Sequence, residues 1–260
     1  MPSNRTDLSL GFGLEDKVVV VTGASSGIGR ASALLFEAVG AKVFATARDQ
    51  AGIDSLAKEM KEPAKHFFHV ADLETTGACE GIVAKALEVY GEIFVLAHIA
   101  GGLRRRKLAV VTEDDWDYQM NVNLRSGFFL NRAVGAAMIE RKTQGRIINC
   151  TSTAWMTGPM NGSDAYVAAK GGVVTMTRGF AGQFGPHGIR VNVLAPGQID
   201  TPMQHDDNDP KIVANATAAC PLRRMGQPEE LARAVLFLAS DNASFINGAT
   251  LNVSGGLLMY

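Results

Sequence analysis

Cysteine is scarce: Cys79, Cys150 and Cys220 are the only three in 260 residues, too far apart for a disulfide framework or a metal-binding spacing. They fit a reducing compartment. Neither sign of charge is in excess, with 25 Lys and Arg against 26 Asp and Glu, so there is no electrostatic footprint for nucleic acid. No window reaches the roughly 18 uncharged apolar residues of a membrane span. The opening MPSNRTDLSLGFG lacks the apolar centre of a signal peptide. Linkers, repeats and low-complexity stretches are missing too. The five histidines make no metal site, since His66 and His69, three apart on an expected strand, point to opposite faces. These absences predict a soluble, cytoplasmic chain without metal. It should form a single domain over residues 1–260, with 1–13 a flexible N-terminal arm.

What is present is periodic. Residues 17–22, KVVVVT, form a short β-branched run of the kind buried on both faces of a sheet. A helical pattern over 28–39 follows, stopped by Gly40. Strands are then expected at 41–47, 65–71, 93–100, 146–152, 190–196 and 250–254. Helices are expected at 53–61, 76–90, 112–140, 163–184 and 227–239, and Thr112 with Asp115 resembles a capping box at the start of the long one. About seven strands alternating with helices predict an α/β fold, a doubly wound Rossmann-type parallel sheet with helices on both faces.

Two places along this pattern carry chemistry. TGASSGIG (22–29) puts Gly23, Gly27 and Gly29 between the first strand and the first helix, where glycines let backbone approach a pyrophosphate held by free amides. The second strand ends Thr46-Ala47-Arg48-Asp49. Ala47 stands where a ribose-binding carboxylate is expected, and Arg48 follows it, which favours NADP(H). A strand shifted by two residues would instead put Asp49 on the ribose and select NAD(H). In AYVAAKGG, Tyr166 and Lys170 are i and i+4 on one helix face. Moving a phenol from its ordinary pKa of about 10 to near 7 takes about 4 kcal/mol. A lysine ammonium one turn away, with an oxidised nicotinamide ring, can supply that by charge attraction.

The chain resembles the short-chain dehydrogenase/reductase family from Leu14 to Gly256. The matching pieces are TGASSGIG, Asp72-Leu73, Asn123 in NVNLRSGFF, Ser152 in RIINCTS, Tyr166-x3-Lys170, PGQIDT at Pro196 to Thr201, and the closing GQPEELARAVLFLASDNASFINGATLNVSGG. The resemblance implies that Tyr166 exchanges a proton with a carbonyl or alcohol oxygen held by Ser152. It implies that Lys170 grips the nicotinamide ribose and lowers the tyrosine pKa, while Asn123 positions a relay water. It also implies a cofactor site of Gly23, Ser25, Ser26, Gly27, Ile28, Gly29, Arg48, Asp72, Leu73, Ala100, Gly101, Tyr166, Lys170, Pro196, Gly197, Ile199 and Thr201.

Two departures stand out. The family's Asn-Asn-Ala-Gly is here His98-Ile99-Ala100-Gly101, with His98 expected to be structural. Ser152 lies one residue further from Tyr166 than is usual, so Thr153 is its alternative.

Trp155, Met156, Met160 and Met203 are expected either to line an apolar substrate pocket or to be lid packing. The basic run Arg104 to Lys107 is read as a solvated loop or as a dock for an anionic handle such as a phosphopantetheine or CoA phosphate. Residues 200–220 are expected to be a mobile lid. Ala168, Gly172, Thr175, Gly179 and Gly182 form a stripe of small side chains facing away from Tyr166 and Lys170, which suggests close approach of another helix. The family resemblance implies the same helix of another subunit, in a homodimer or homotetramer, and the alternative is a neighbouring helix of the same chain. The expected activity is NADP(H)-dependent interconversion of a secondary alcohol and a ketone, with a 3-oxoacyl-thioester reductase as the leading case. The alternatives are an NAD-dependent sugar, polyol or hydroxysteroid-type dehydrogenase, and a non-catalytic NADP(H)-sensing regulator.

Overall fold

The run VVVVT at Val18–Thr22 (β1) is buried at every position, as a strand covered on both faces must be. A computed structural model of the chain describes residues 9–158, 163–206 and 208–260. After β1 come Gly27–Ala38 (α1), Lys42–Ala47 (β2), Gln50–Glu59 (α2), Phe67–Val70 (β3), Thr76–Tyr90 (α3) and Val95–His98 (β4). Glu113–Met120 (α4) runs through a π-helical turn at Asn121–Arg125 into Ser126–Glu140 (α5). Arg146–Cys150 (β5), Ala154–Thr157 (α6), Asp164–Phe184 (α7) and Arg190–Pro196 (β6) follow. Pro202–His205 (α8), Pro210–Ala219 (α9), Pro228–Ala239 (α10) and Thr250–Val253 (β7) complete the chain.

The seven strands form one parallel sheet in the order β3-β2-β1-β4-β5-β6-β7. Alternate residues divide the core. Val19, Val21, Val43, Ala45, Val95 and Ala97 pack in one layer with α1, α2 and α10, whereas Val20, Phe44, Leu96, Ile147 and Val191 pack with α3, α5 and α7 on the other side. Strand order reverses between β1 and β4, so the loops leaving their C-terminal ends part and open a crevice. The expected α/β doubly wound architecture is the one observed.

Several local expectations change. An N-terminal arm is expected over residues 1–13, of which 9–13 are described. Residues 9–13 fold as turns onto the far end of the chain, with Asn242 Nδ2 donating to Ser9 O at 2.8 Å and Asp241 N to Phe12 O at 3.0 Å. Residues 1–8 lie outside the described residues, as do Met160 and Asp207. The helix expected over 112–140 begins with the anticipated Thr112–Asp115 capping box but is broken by the π-turn. The segment 200–220, expected to be a mobile lid, holds two helices, α8 and α9, each opened by a proline at its first position. Along the small-residue stripe of α7, a Cβ on Gly172 would press on Leu124 of the same chain, but one on Gly179 or Gly182 would meet nothing within 4 Å.

His98 ties the two strands at the crevice to the π-turn. Its Nδ1 lies 2.9 Å from Thr22 Oγ1 and its Nε2 3.3 Å from Ser126 Oγ. Ser126 spends its one hydroxyl proton on the Val122 carbonyl at 2.6 Å, so His98 Nε2–H must donate to Ser126 and Nδ1 must accept from Thr22. Thr22 Oγ1 in turn accepts from Ala100 N at 3.1 Å, which fixes the loop after β4. Burial, reinforced by the nearby Lys170 charge, pushes the His98 pKa down to about 3, so the ring is neutral in the folded protein. That is the structural role expected of it.

Its unfolded counterpart takes up a proton near pH 6.5 and the native ring does not, so this stability is present above pH 6.5 and is lost as pH falls from there toward 3. Urea unfolding should show the wild type losing about 2 kcal/mol between pH 7 and pH 5 that a His98→Leu variant does not lose. Parallel pH profiles for the two proteins would contradict this.

Candidate active site

The crevice is a cavity of about 550 Å³ that runs from the first turn of α1, past the ends of β2 and β3, to the loops after β4, β5 and β6. Every residue expected at the cofactor site lines it: Gly23, Ser25, Ser26, Gly27, Ile28, Gly29, Arg48, Asp72, Leu73, Ala100, Gly101, Tyr166, Lys170, Pro196, Gly197, Ile199 and Thr201. Ser152 lines it as well. Asn123 does not.

At the nucleotide end, backbone comes unusually close to backbone. Gly23 has φ +71°, and a Cβ there would sit 2.9 Å from Ala100 N; one on Gly29 would collide with the Gly23 carbonyl. The amides opening α1 carry no side-chain cap from Ser26, which leaves them free to take an anion. β2 ends at Ala47, and Arg48 is exposed, with no hydrogen bond or ion pair to the described residues. Asp49 is engaged elsewhere, since it caps α2 by accepting from Gly52 N at 2.8 Å. The strand register that would have placed Asp49 on a ribose is therefore not the one formed. Thr46 Oγ1, also lining the cavity, is buried without a partner among the described residues. A phosphate-bearing nucleotide fits this donor set.

At the chemical end, α7 is locked to β5 and its loop. Thr151 Oγ1 donates to Lys170 O at 2.7 Å, and Asn149 Nδ2 donates to Thr177 Oγ1 at 3.0 Å. Asn131 and Asn149 exchange amide hydrogen bonds at 2.8 and 3.0 Å, adding α5 to the same joint. This places the Tyr166 phenol in a hydrogen bond with the Ser152 hydroxyl. Thr153, the alternative, is buried and gives its backbone N–H to Pro196 O at 2.9 Å. Ser152 is the residue that meets Tyr166.

Lys170 is 3% exposed, with Nζ 2.9 Å from Cys150 O and 5.6 Å from the centre of the Tyr166 ring. Burial lowers its pKa. Burial also raises the Tyr166 phenol above its ordinary value, with the neighbouring Cys150 acting the same way, while the Ser152 hydrogen bond and the Arg105 charge work against it. Lys170 together with an oxidised nicotinamide ring is expected to lower that pKa. With protein groups alone around the ring, desolvation prevails.

Asn123 lies behind the cavity wall. It donates through Nδ2 to Gly102 O at 2.9 Å and Gln119 O at 3.0 Å, and its Oδ1 accepts from Gly102 N at 3.2 Å. The π-turn at Asn121–Arg125 delivers this side chain. A Cβ on Gly101 would lie 2.9 Å from Asn123 Oδ1 and 3.2 Å from Lys170 Nζ, so both groups flank that glycine.

On the substrate side the candidate residues divide between the two readings. Met203 lines the cavity, but Trp155 does not; its ring meets Tyr260 edge-on at 6.5 Å, and Met156 is exposed. The basic run is split. Arg104 lies 3.9 Å over the Tyr118 ring and pairs with Asp114 at 2.7 Å, and Arg106 lies 3.5 Å from Asp115. Both neutralise the acidic first turn of α4. Arg105, between them, lines the cavity. Leu103, Ile212, Ala216 and Leu257 also line it and carried no sequence signal, being apolar residues on loops and on a lid helix. Among the described residues no group of His, Cys, Asp and Glu could hold a metal, and no helix is long and apolar enough to cross a membrane.

Comparison with known proteins matches this geometry. A family model described as enoyl-(acyl carrier protein) reductase matches residues 23–258. The chain is 39% identical to the 3-oxoacyl-[acyl-carrier-protein] reductase FabG of Thermotoga maritima, over 95% of this chain and 99% of that protein. It is 36% identical to the (2S)-[(R)-hydroxy(phenyl)methyl]succinyl-CoA dehydrogenase subunit BbsD of Thauera aromatica, over 96% and 99%. A crystal structure of a mutant actinorhodin polyketide ketoreductase with NADPH superimposes with a TM-score of 0.86 at 32% identity, covering 94% of this chain and 98% of that one. The glycine turn, the meeting of Ser152, Tyr166 and Lys170, and these likenesses together place the chain in the short-chain dehydrogenase/reductase family of NAD(P)-dependent oxidoreductases acting on CH–OH and keto groups.

Proposed function

We propose that this chain reduces the ketone of a 3-oxoacyl thioester to a secondary alcohol with NADP(H). The observation that carries this reading is the convergence of Ser152, Tyr166 and Lys170 on one wall of a cavity whose other end is the glycine turn. The relatives named above as acyl-carrier-protein and CoA enzymes support a thioester, and the ketoreductase solved with NADPH supports that cofactor.

Arg48, unengaged at the end of β2, would take the 2′-phosphate, with the open amides of α1 on the pyrophosphate and Asp72 and Leu73 beside the adenine. Pro196, Gly197, Ile199 and Thr201 would hold the carboxamide side of the nicotinamide. When bound, that ring supplies the hydride. Ser152 holds the substrate carbonyl oxygen by its hydroxyl, and Tyr166 gives that oxygen its phenolic proton; for the reverse reaction it takes the proton back. Lys170 holds the ribose and stabilises the phenolate left behind. Asn123, beside Gly101, would place a water that returns a proton to Lys170. The exposed Gly179 and Gly182 on α7 suit contact with a second copy, as in a homodimer or homotetramer.

Tyr166→Phe should lower kcat/KM roughly 10²- to 10⁴-fold, the usual worth of a positioned acid, while NADPH still binds in a fluorescence titration. Normal turnover by this variant would remove Tyr166 from the chemistry. Arg48→Ala should weaken NADPH binding roughly 10- to 100-fold, the value of one charge-assisted contact, and leave NADH binding as it was. Equal losses for both nucleotides would show that Arg48 does not read the phosphate.

A further inference from the structure

Gln119 is 1% exposed near the end of α4, one turn before Asn123, and both ends of its amide are used. Its Nε2 donates to Arg104 O at 3.1 Å, and its Oε1 accepts from Asn123 Nδ2 at 3.0 Å. The side chain therefore joins the loop after β4 to the π-turn. An apolar side chain of the same size would fill the space without joining them.

The direction of these bonds is set from one end. Arg104 offers a carbonyl, which only accepts, so Gln119 must turn its nitrogen that way and its oxygen toward Asn123. Asn123 must then turn its nitrogen toward Gln119, whose backbone carbonyl and side-chain oxygen both lie at 3.0 Å. Nδ2 also donates to Gly102 O at 2.9 Å, and Oδ1 accepts from Gly102 N at 3.2 Å. Turned over, the Asn123 amide would set its oxygen against these three oxygens and its nitrogen against the Gly102 N–H. Oδ1 accepts this one bond among the described residues, and a carbonyl oxygen has a second lone pair. It stands on the Lys170 side: a Cβ on Gly101 would lie 2.9 Å from Oδ1 and 3.2 Å from Lys170 Nζ.

The same bonds hold the loop on both sides of Leu103, with Gly102 fastened to Asn123 and Arg104 to Gln119. The Arg104 side chain is fixed to α4 as well, over the Tyr118 ring at 3.9 Å and on Asp114 at 2.7 Å. Leu103 lines the cavity, whereas Gln119 and Asn123 lie behind its wall. Gln119 can therefore act only through the groups it holds. We propose that Gln119 is a positioning residue for proton return. It fixes the Asn123 amide with its oxygen toward Lys170, where that oxygen can hold the water that hands Lys170 a proton, and it keeps the loop after β4 in place around this point. This rests on the ketone-reductase reading above and on the relay role given there to Asn123.

The test follows NADPH-dependent reduction of a 3-oxoacyl N-acetylcysteamine thioester by the wild type, Gln119→Met and Gln119→Glu, at one pH and ionic strength over a range of imidazole buffer concentrations. Gln119→Met fills the space and makes neither bond. It should lower kcat roughly 3- to 10-fold, the value of one ordinary hydrogen bond, with KM and NADPH affinity unchanged. Its kcat should rise with buffer concentration, as the buffer acid does the work of the relay, whereas the wild-type kcat should not. Gln119→Glu keeps an acceptor for Asn123 and should recover part of kcat. A Gln119→Met protein with wild-type kcat overturns the proposal. So does a loss of kcat that buffer does not relieve, or one that comes with weaker NADPH binding. A wild type that does not reduce the thioester overturns the ketone-reductase reading and the proton role with it. Amide hydrogen exchange tests the hold on Asn123 apart from turnover. The Gly102 N–H should exchange roughly 3- to 10-fold faster in Gln119→Met than in the wild type, and equal exchange overturns that hold.

Discussion

Lys170 keeps its ammonium 3% exposed and satisfies it with the Cys150 carbonyl at 2.9 Å, and much of the molecule is arranged around that burial. Taking an ammonium out of water costs roughly several kcal/mol unless its protons find partners. The end of β5 therefore has to present a carbonyl to α7, and the Thr151 and Asn149 hydrogen bonds hold the helix at that distance. Gly101 leaves room for it, since a Cβ there would lie 2.9 Å from Asn123 Oδ1 and 3.2 Å from the ammonium. The parallel sheet makes this practicable. Its strands are parallel, so the loops that carry Gly101, Ser152 and the nucleotide cradle all leave the same edge, and the reversal of order between β1 and β4 opens the crevice there.

The same burial sets the chemistry of Tyr166. Desolvation favours the protonated phenol, which is the state the proposed proton donor would need before a carbonyl arrives. Ser152 and Arg105 oppose it from two sides, one through a hydrogen bond and the other through charge. Lys170 lies 5.6 Å from the centre of the Tyr166 ring, and burial disfavours its own charged form. In the proposed reaction an oxidised nicotinamide ring beside the phenol would add weight on the ionised side.

The elements legible in the sequence are those whose signal is local. The span Arg190–Pro196 matches its expected bounds because RVNVLAP is a continuous buried run, and the Thr112–Asp115 capping box fixed the start of α4. The gathering of the glycine turn, Ser152, Tyr166 and Lys170 into one cavity was legible from the family resemblance rather than from spacing. What escaped depends on contacts between distant parts of the chain. The π-turn follows from Asn123 bonding to Gly102 and from His98 holding Ser126, neither of which a helical period reports. The inward turn of Arg105 is decided by acids on α4 that claim its neighbours, and Trp155 faces Tyr260 because the C-terminus returns to that side. The helices α8 and α9 did have a local signal: Pro202 and Pro210 open them, and Asp209 caps the second.

The central claim is that Tyr166 is held protonated by burial and is the group whose ionisation the site controls. Ultraviolet difference titration of the wild type against Tyr166→Phe, with and without saturating NADP+, tests it most directly. The account requires that the Tyr166 phenol ionise above the ordinary tyrosine range in the protein alone and at clearly lower pH when NADP+ is present. An ionisation already below the ordinary range without NADP+, or one that NADP+ does not move, would contradict it.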